Sequence, residues 1–235
     1  MKAKNLLFML AIGVLAASCN AGGSFNQTST TLKTPTDSAS FYLGYLNGSQ
    51  FLQMKFKDVN VEALVAGLNS ALQKKEVGTD PQMMNMFLNQ YFQNLSMKLA
   101  QENLEKGNKF LEENAKKEGV QTLVDGIQYK VITKGEGAQP KATDMVKVHY
   151  KGTLIDGTEF DSSYKRGEPA EFPLNGVIQG WTKALQAMPV GSKWIIYLPA
   201  KEAYGQRGGG PIGPNETLIF EVELLEITTP AADQK

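Results

Sequence analysis

The chain has 235 residues, enough for one large domain or two modest ones that each bury a core. Lysine plus arginine number 24 against 24 for aspartate plus glutamate, with no marked excess in either half, which argues against a nucleic-acid surface or a polybasic membrane patch. A single cysteine excludes an intrachain disulfide, so stability must come from packing.

Residues 1–18 read as an export signal: two lysines, an apolar run too short to span a bilayer comfortably, and small residues before Cys19. The run ends in Ala16-Ala17-Ser18-Cys19, which resembles the lipobox of bacterial lipoproteins, where the cysteine is lipidated and becomes the first mature residue. Alanine stands three places before Cys19 where leucine is usual, with Leu15 one place further back. The competing reading is a plain secretory signal that leaves a spare thiol. One acyl anchor would bind the protein to a membrane without any further transmembrane segment. Residues 19–36 are small, polar and nearly uncharged, as expected of a flexible tether.

From Asp37 the pattern turns helical. "DSASFYLGYLNGSQF" opens on Asp or Ser cap candidates, with Phe41, Leu43, Tyr45, Leu46 and Phe51 as apolar positions. "DVNVEALVAGLNSALQKKEVG" places Val61, Leu64, Val65, Leu68 and Leu72 at three- and four-residue steps, with Gly78 as its expected stop. A third helix starts at Asp80-Pro81 and can run to Gly119, about 58 Å at 1.5 Å per residue, with Gly107 as the position expected to bend or weaken it. Its first half is apolar at Met83, Met84, Phe87, Leu88, Tyr91, Leu95 and Leu99, and its second half is mostly charged, so the first is expected to pack and the second to span solvent. A methionine-rich face suits either irregular unfolded clients or a subunit interface, and the interface is the simpler reading. Three helices in fewer than ninety residues make a thin core alone, which pairing two copies would remedy.

From residue 127 the period changes to two. "IQYKVI", "MVKVHYKGTLI", "KWIIYLP" and "TLIFEVELLEI" read as strands, and between them only "GVIQGWTKALQAM" has helical spacing. The expected result is a small antiparallel sheet with one short helix on its face.

The lone histidine, His149, neighbours Tyr150 in an alternating strand and so points to the opposite face. A Ser-His or Cys-His nucleophile would need it, which argues against a hydrolytic triad. No Cys/His cluster suggests zinc, and no acidic run has calcium-loop spacing. "GQRGGGPIGP" matches neither phosphate-binding glycine pattern and reads as a mobile loop. What remains is a set of large aromatics: Tyr150, Phe160, Phe172, Trp181, Tyr197, Tyr204 and Phe220. Taken singly each is ordinary core; together, under a short helix, they can line a shallow apolar cup.

At these residues a family resemblance emerges. "VKVHYKGTLIDGTEFDSSYKRGEPAEFPLNGVIQGWTKALQAMPVGSKWIIYLPAKEAYG" followed by "TLIFEVELLEI" closely resembles the FKBP-type peptidyl-prolyl cis/trans isomerases over most of residues 120–228. "SFYLGYLNGSQF" and "DVNVEALVAGLNSAL" look like the dimerisation domain of the two-domain, exported Mip/FkpA-like branch. The resemblance implies an α+β chain: an all-α dimerisation domain with a long connecting helix at 37–118, an antiparallel sheet wrapped on one short helix at 119–229, and a tail at 230–235.

It also implies a pocket built from Tyr150, Phe160, Asp161, Ile178, Trp181, Tyr204 and Phe220, with Trp181 as its floor. Arg166, Phe172, Val177 and Ile212 would add substrate contacts. Two departures fall on the expected rim: Ala170, where many members have an aromatic, and glycine where a second proline is frequent in the loop before "TLIF". The expected activity is rotation of Xaa-Pro bonds in exported polypeptides, with no cofactor and no metal, in the envelope of a Gram-negative-type bacterium. Asp161 would orient and polarise through Tyr150 or Arg166 without transferring a proton; it can equally cap its turn in a pair with Arg166. The rival expectation is a dimeric holdase that binds unfolded chains, with isomerase activity incidental.

Overall fold

The computed structural model describes residues 31–228, so the signal, Cys19, most of the tether and the tail lie outside the described residues. The described chain divides between Tyr45 and Leu46 into two units. Helix α1 (Pro35–Gln53) starts earlier than Asp37 because Thr34 is its cap. The Thr34 hydroxyl accepts the Asp37 N–H at 3.1 Å while the Asp37 carboxylate accepts the Thr34 N–H at 2.9 Å, a reciprocal capping box.

Helix α2 (Val61–Leu72) is capped by Asn60, whose side chain accepts the Ala63 N–H at 3.0 Å. It stops at Gln73, well before Gly78, because Lys74 takes a left-handed conformation at φ 53° and ends the helix there. Helix α3 (Pro81–Asn114) begins as expected on Asp80 with Pro81 in its first turn.

The charged second half of α3 does not span solvent as expected. In the described chain its charged second half is the docked one, with Gly107, Leu111 and Asn114 buried, whereas Met83 and Phe87 in the first half are 60% and 68% exposed. Charge at most positions hid a narrow stripe at i, i+4, i+7. α3 runs unbroken through Gly107, where a Cβ would stand 2.2 Å from Thr217 Oγ1, so the glycine permits close approach. Asn114 donates to Gln128 at 2.9 Å, and Gln128 donates back to the Leu111 carbonyl at 2.8 Å, a second hydrogen bond to an oxygen that already accepts the Ala115 N–H at 3.0 Å. Further up, Phe56 meets Phe51, Tyr91 and Phe92 edge-on at 6.0, 5.7 and 5.5 Å.

The sheet has seven antiparallel strands: β1 (Val120–Thr122), β2 (Gln128–Thr133), β3 (Met145–Leu154), β4 (Glu159–Ser162), β5 (Ala170–Pro173), β6 (Lys193–Leu198) and β7 (Leu218–Thr228). Their order is β1-β2-β6-β7-β3-β4, with β5 also paired to β3. Alternation buries Val146, Val148, Tyr150 and Leu154 of β3, Trp194, Ile196 and Leu198 of β6, and Leu218, Phe220, Val222 and Leu224 of β7 on one face. Short α4 (Ser163–Arg166) follows β4, and α5 (Gln179–Gln186) lays Gly180, Trp181, Ala184 and Leu185 into the core cluster.

Candidate functional site

Gly152 sits opposite Asp161 of β4 on one side and Phe220 of β7 on the other. A Cβ at Gly152 would come within 2.6 Å of the Phe160 ring and 2.9 Å of the Phe220 ring, so its bare backbone is what lets those rings meet edge-to-face at 5.5 Å. Gly152→Ala should therefore splay both rings, costing about 1–3 kcal/mol of stability as overpacking and lowering activity with it. A urea midpoint and an activity equal to those of the parent protein would refute this.

Trp181 is carried by α5 one turn into the helix and is 4% exposed. Its indole meets Tyr150 at 5.2 Å, Phe220 at 5.1 Å and Phe172 at 5.4 Å, so three rings clamp its flanks. Above it lies an open cavity of about 640 Å³. Tyr150, Phe160, Asp161, Phe172 and Phe220 line it from the strands, and Val177, Ile178, Tyr204 and Ile212 from the segments between them. Ile178 is the residue on which α5 starts, and its N–H makes no hydrogen bond among the described residues.

Asp161 is the only carboxylate among the described residues that line the cavity. Ser162 caps α4 by accepting the Lys165 N–H, and the helix ends on Gly167 at φ 81°, a turn that brings Arg166 back toward Asp161. Arg166 Nη1 pairs with Asp161 Oδ1, Arg166 Nη2 donates to the Tyr150 hydroxyl at 2.9 Å, and that hydroxyl donates to Asp161 Oδ2. Ser162 N–H completes the set at 2.8 Å. Burial pushes the Asp161 carboxyl up, but the Tyr150 hydroxyl and the Arg166 guanidinium outweigh it and hold it below the ordinary aspartate value. Tyr150 moves the other way, raised by burial and by its bond to Asp161. The arrangement locks one anion in place.

All the expected pocket residues except Arg166 line this cavity; Arg166 instead pairs with Asp161. Tyr197 is not among them. It alternates to the outer face of β6, where its ring meets Phe110 of α3 at 6.0 Å. Ala170 pairs with Val148 and packs on the core without lining the cavity. His149 faces away, as read: its Nδ1 lies 3.0 Å from Ser163 Oγ, and its ring stacks on Tyr164 at 4.7 Å. Cys19 lies outside the described residues.

Sequence reasoning missed Gly176, Gly209 and Pro211, which also line the cavity. The last two belong to the glycine-rich loop read as mobile, which is in fact tied down. Gly209 and Ile212 exchange backbone hydrogen bonds at 2.9 and 3.0 Å, Asn215 N–H reaches the Gly205 carbonyl at 2.8 Å, and Asn103 of α3 donates to the Pro214 carbonyl at 2.9 Å. A Cβ on Gly209 would meet the Tyr204 ring at 2.9 Å, so that glycine makes room for the aromatic.

Residues 136–225 match the family model described as FKBP-type peptidyl-prolyl cis-trans isomerase, and residues 36–131 the model for the domain amino terminal to it. The chain is 48% identical over 204 residues to the FKBP-type 22 kDa peptidyl-prolyl cis-trans isomerase of Escherichia coli K12, covering 85% of this chain and 99% of that one. It is 42% identical over 230 residues to the peptidyl-prolyl cis-trans isomerase Mip of Coxiella burnetii, covering 94% and 97%. Among solved structures, the crystal structure of FkpA from Escherichia coli superposes with a TM-score of 0.64 at 37% identity, covering 85% of this chain and 99% of that one.

Proposed function

Because the chain belongs to the FKBP-type peptidyl-prolyl cis-trans isomerases, we propose that the cavity above Trp181 is where it rotates Xaa-Pro bonds, and that its substrates are exported polypeptides folding in the cell envelope. The observation that carries the assignment is an open, ring-walled hollow directly over a clamped indole.

An Xaa-Pro bond isomerises unaided over tens of seconds because about 20 kcal/mol of barrier separates its two planar forms. Rotation takes the carbonyl out of conjugation with nitrogen and makes the amide less polar. A water-poor aromatic cup therefore favours the twisted state over either planar one. A preference of about 4 kcal/mol suffices for a thousandfold acceleration. The proline ring would rest on Trp181 between Phe160 and Phe220, and the Tyr204 hydroxyl and Ile178 N–H would donate to substrate carbonyls. Asp161, held by Tyr150 and Arg166, would present a fixed negative charge beside the turning amide and would not move a proton.

That division of roles predicts a flat pH profile. Asp161 titrates below its ordinary 3.8 and Tyr150 above its ordinary 10.0. A depressed carboxyl contributes its full stabilisation above its unfolded value and loses it only as pH falls through the folded one, so the lock is intact throughout the neutral range. Peptide isomerisation should keep a constant kcat/KM from about pH 5 to pH 9. A bell-shaped profile centred near neutrality would refute the assignment of roles.

We assign residues 37–118 to pairing of two copies and 119–229 to catalysis. The exposed apolar face, with Leu64, Leu68, Met83 and Phe87, supports a partner surface there. The same exposure supports the second reading, capture of unfolded clients, and sedimentation of the tether-free protein separates them: a monomer would favour client capture. Lipidation of Cys19 would hold the protein at a membrane, in keeping with a 42% identical relative named outer membrane protein MIP from Legionella longbeachae. Cys19→Ser should move the protein from the detergent phase to the aqueous phase on Triton X-114 partition; an unchanged partition would refute the anchor.

A further inference from the structure

A second ionic cluster lies behind the cup and has no role in the chemistry above. Lys183 stands on α5 two residues beyond the Trp181 floor. Its ammonium donates to Glu202 Oε2 at 2.6 Å and to Asp125 Oδ2 at 2.7 Å. Glu202 ends a 3-10 turn, Ala200–Glu202, two residues before Tyr204. Its side chain is only 6% exposed, against 30% for Lys183 and 48% for Asp125. A carboxylate withdrawn that far from water is costly unless a cation meets it, and Lys183 is its only ion-pair partner among the described residues.

The turn and the helix also touch directly. A Cβ on Gly180 would stand 2.9 Å from the Glu202 carbonyl oxygen and 2.6 Å from Leu198 Cδ2, so α5 and the turn are already at van der Waals limits. Asp125 brings in a third element, the Val124–Gly126 turn between β1 and β2. Tyr204 itself is 42% exposed, so its own burial holds it weakly and the turn beneath it matters more.

We infer that Lys183 is a positioning residue for the isomerase reaction: by bridging Glu202 and Asp125 it fixes the turn that carries Tyr204 against the helix that carries the indole floor. The inference rests on Tyr204 acting in the cup as proposed above, so that a shift of the turn would displace the hydroxyl from the substrate carbonyl.

The test is a double-mutant cycle on the full chain, reading kcat/KM for an Xaa-Pro peptide in a protease-free assay. Lys183→Met should lower kcat/KM about fivefold, the scale of one misplaced hydrogen bond. Lys183→Arg, which keeps the charge, should retain most of the activity. In a Tyr204→Phe background Lys183→Met should cost nothing more, because its effect runs through the hydroxyl already removed. If Lys183→Met unfolds the protein by stranding the buried carboxylate, the pair Lys183→Met/Glu202→Gln takes its place in the cycle with the same expectations. Full activity in the Lys183 variant, or losses that multiply in the combined variant, would overturn the inference while leaving the role of Tyr204 standing. Full activity in Tyr204→Phe alone would overturn both.

Discussion

Truncating Phe160 to alanine lowers kcat/KM for an Xaa-Pro peptide by about tenfold or more, equivalent to at least about 1.4 kcal/mol of lost transition-state preference. The protein stays folded. Phe160 is half-buried and meets Phe220 at the mouth of the hollow, so removing it opens the cup to water without excavating the core. Trp181 is the less informative target: it is buried among Tyr150, Phe172 and Phe220, and its alanine variant would forfeit about 3–5 kcal/mol of packing as well as the floor. A Phe160→Ala protein with wild-type peptide isomerisation and a normal urea midpoint would show that the ring wall is irrelevant to rate.

Valine at Gly107 costs about 1–3 kcal/mol, read as a lowered urea midpoint. Even a single Cβ would overlap Thr217 Oγ1 at 2.2 Å, and Thr217 is 3% exposed, so neither partner has room to turn aside. The branched side chain must push α3 off the sheet and with it the Asn114–Gln128–Leu111 hydrogen bonds at the helix end. An unchanged midpoint would mean that the seam between α3 and the sheet carries no stability.

Much of the catalytic unit was readable because strand and helix periods are local. Alternation along "VKVHY" put Tyr150 inward and His149 outward, and the spacing in "VIQGWTKAL" put Trp181 and Leu185 on one stripe. The cup residues came through the family resemblance, which carries long-range proximity that spacing alone does not hold. What escaped was set by contacts distant in sequence. Gly107 has meaning only beside Thr217, and Gly209 only beside Tyr204. Tyr197 looked like a cup aromatic until its neighbours Ile196 and Leu198 claimed the inner face of β6. The stop of α2 at Lys74 was equally hidden, since a left-handed lysine leaves no compositional mark where Gly78 did.

In the proposed mechanism bond rotation proceeds by sheltering a twisted amide on aromatic surface, with Asp161 as a fixed charge and no proton in flight. Its most direct test is the ratio of kcat/KM for a short Xaa-Pro peptide in light and heavy water, measured at matched positions on the pH plateau. The expected ratio is near unity. A severalfold slowing in heavy water would place a proton transfer in the rate-limiting step and contradict it.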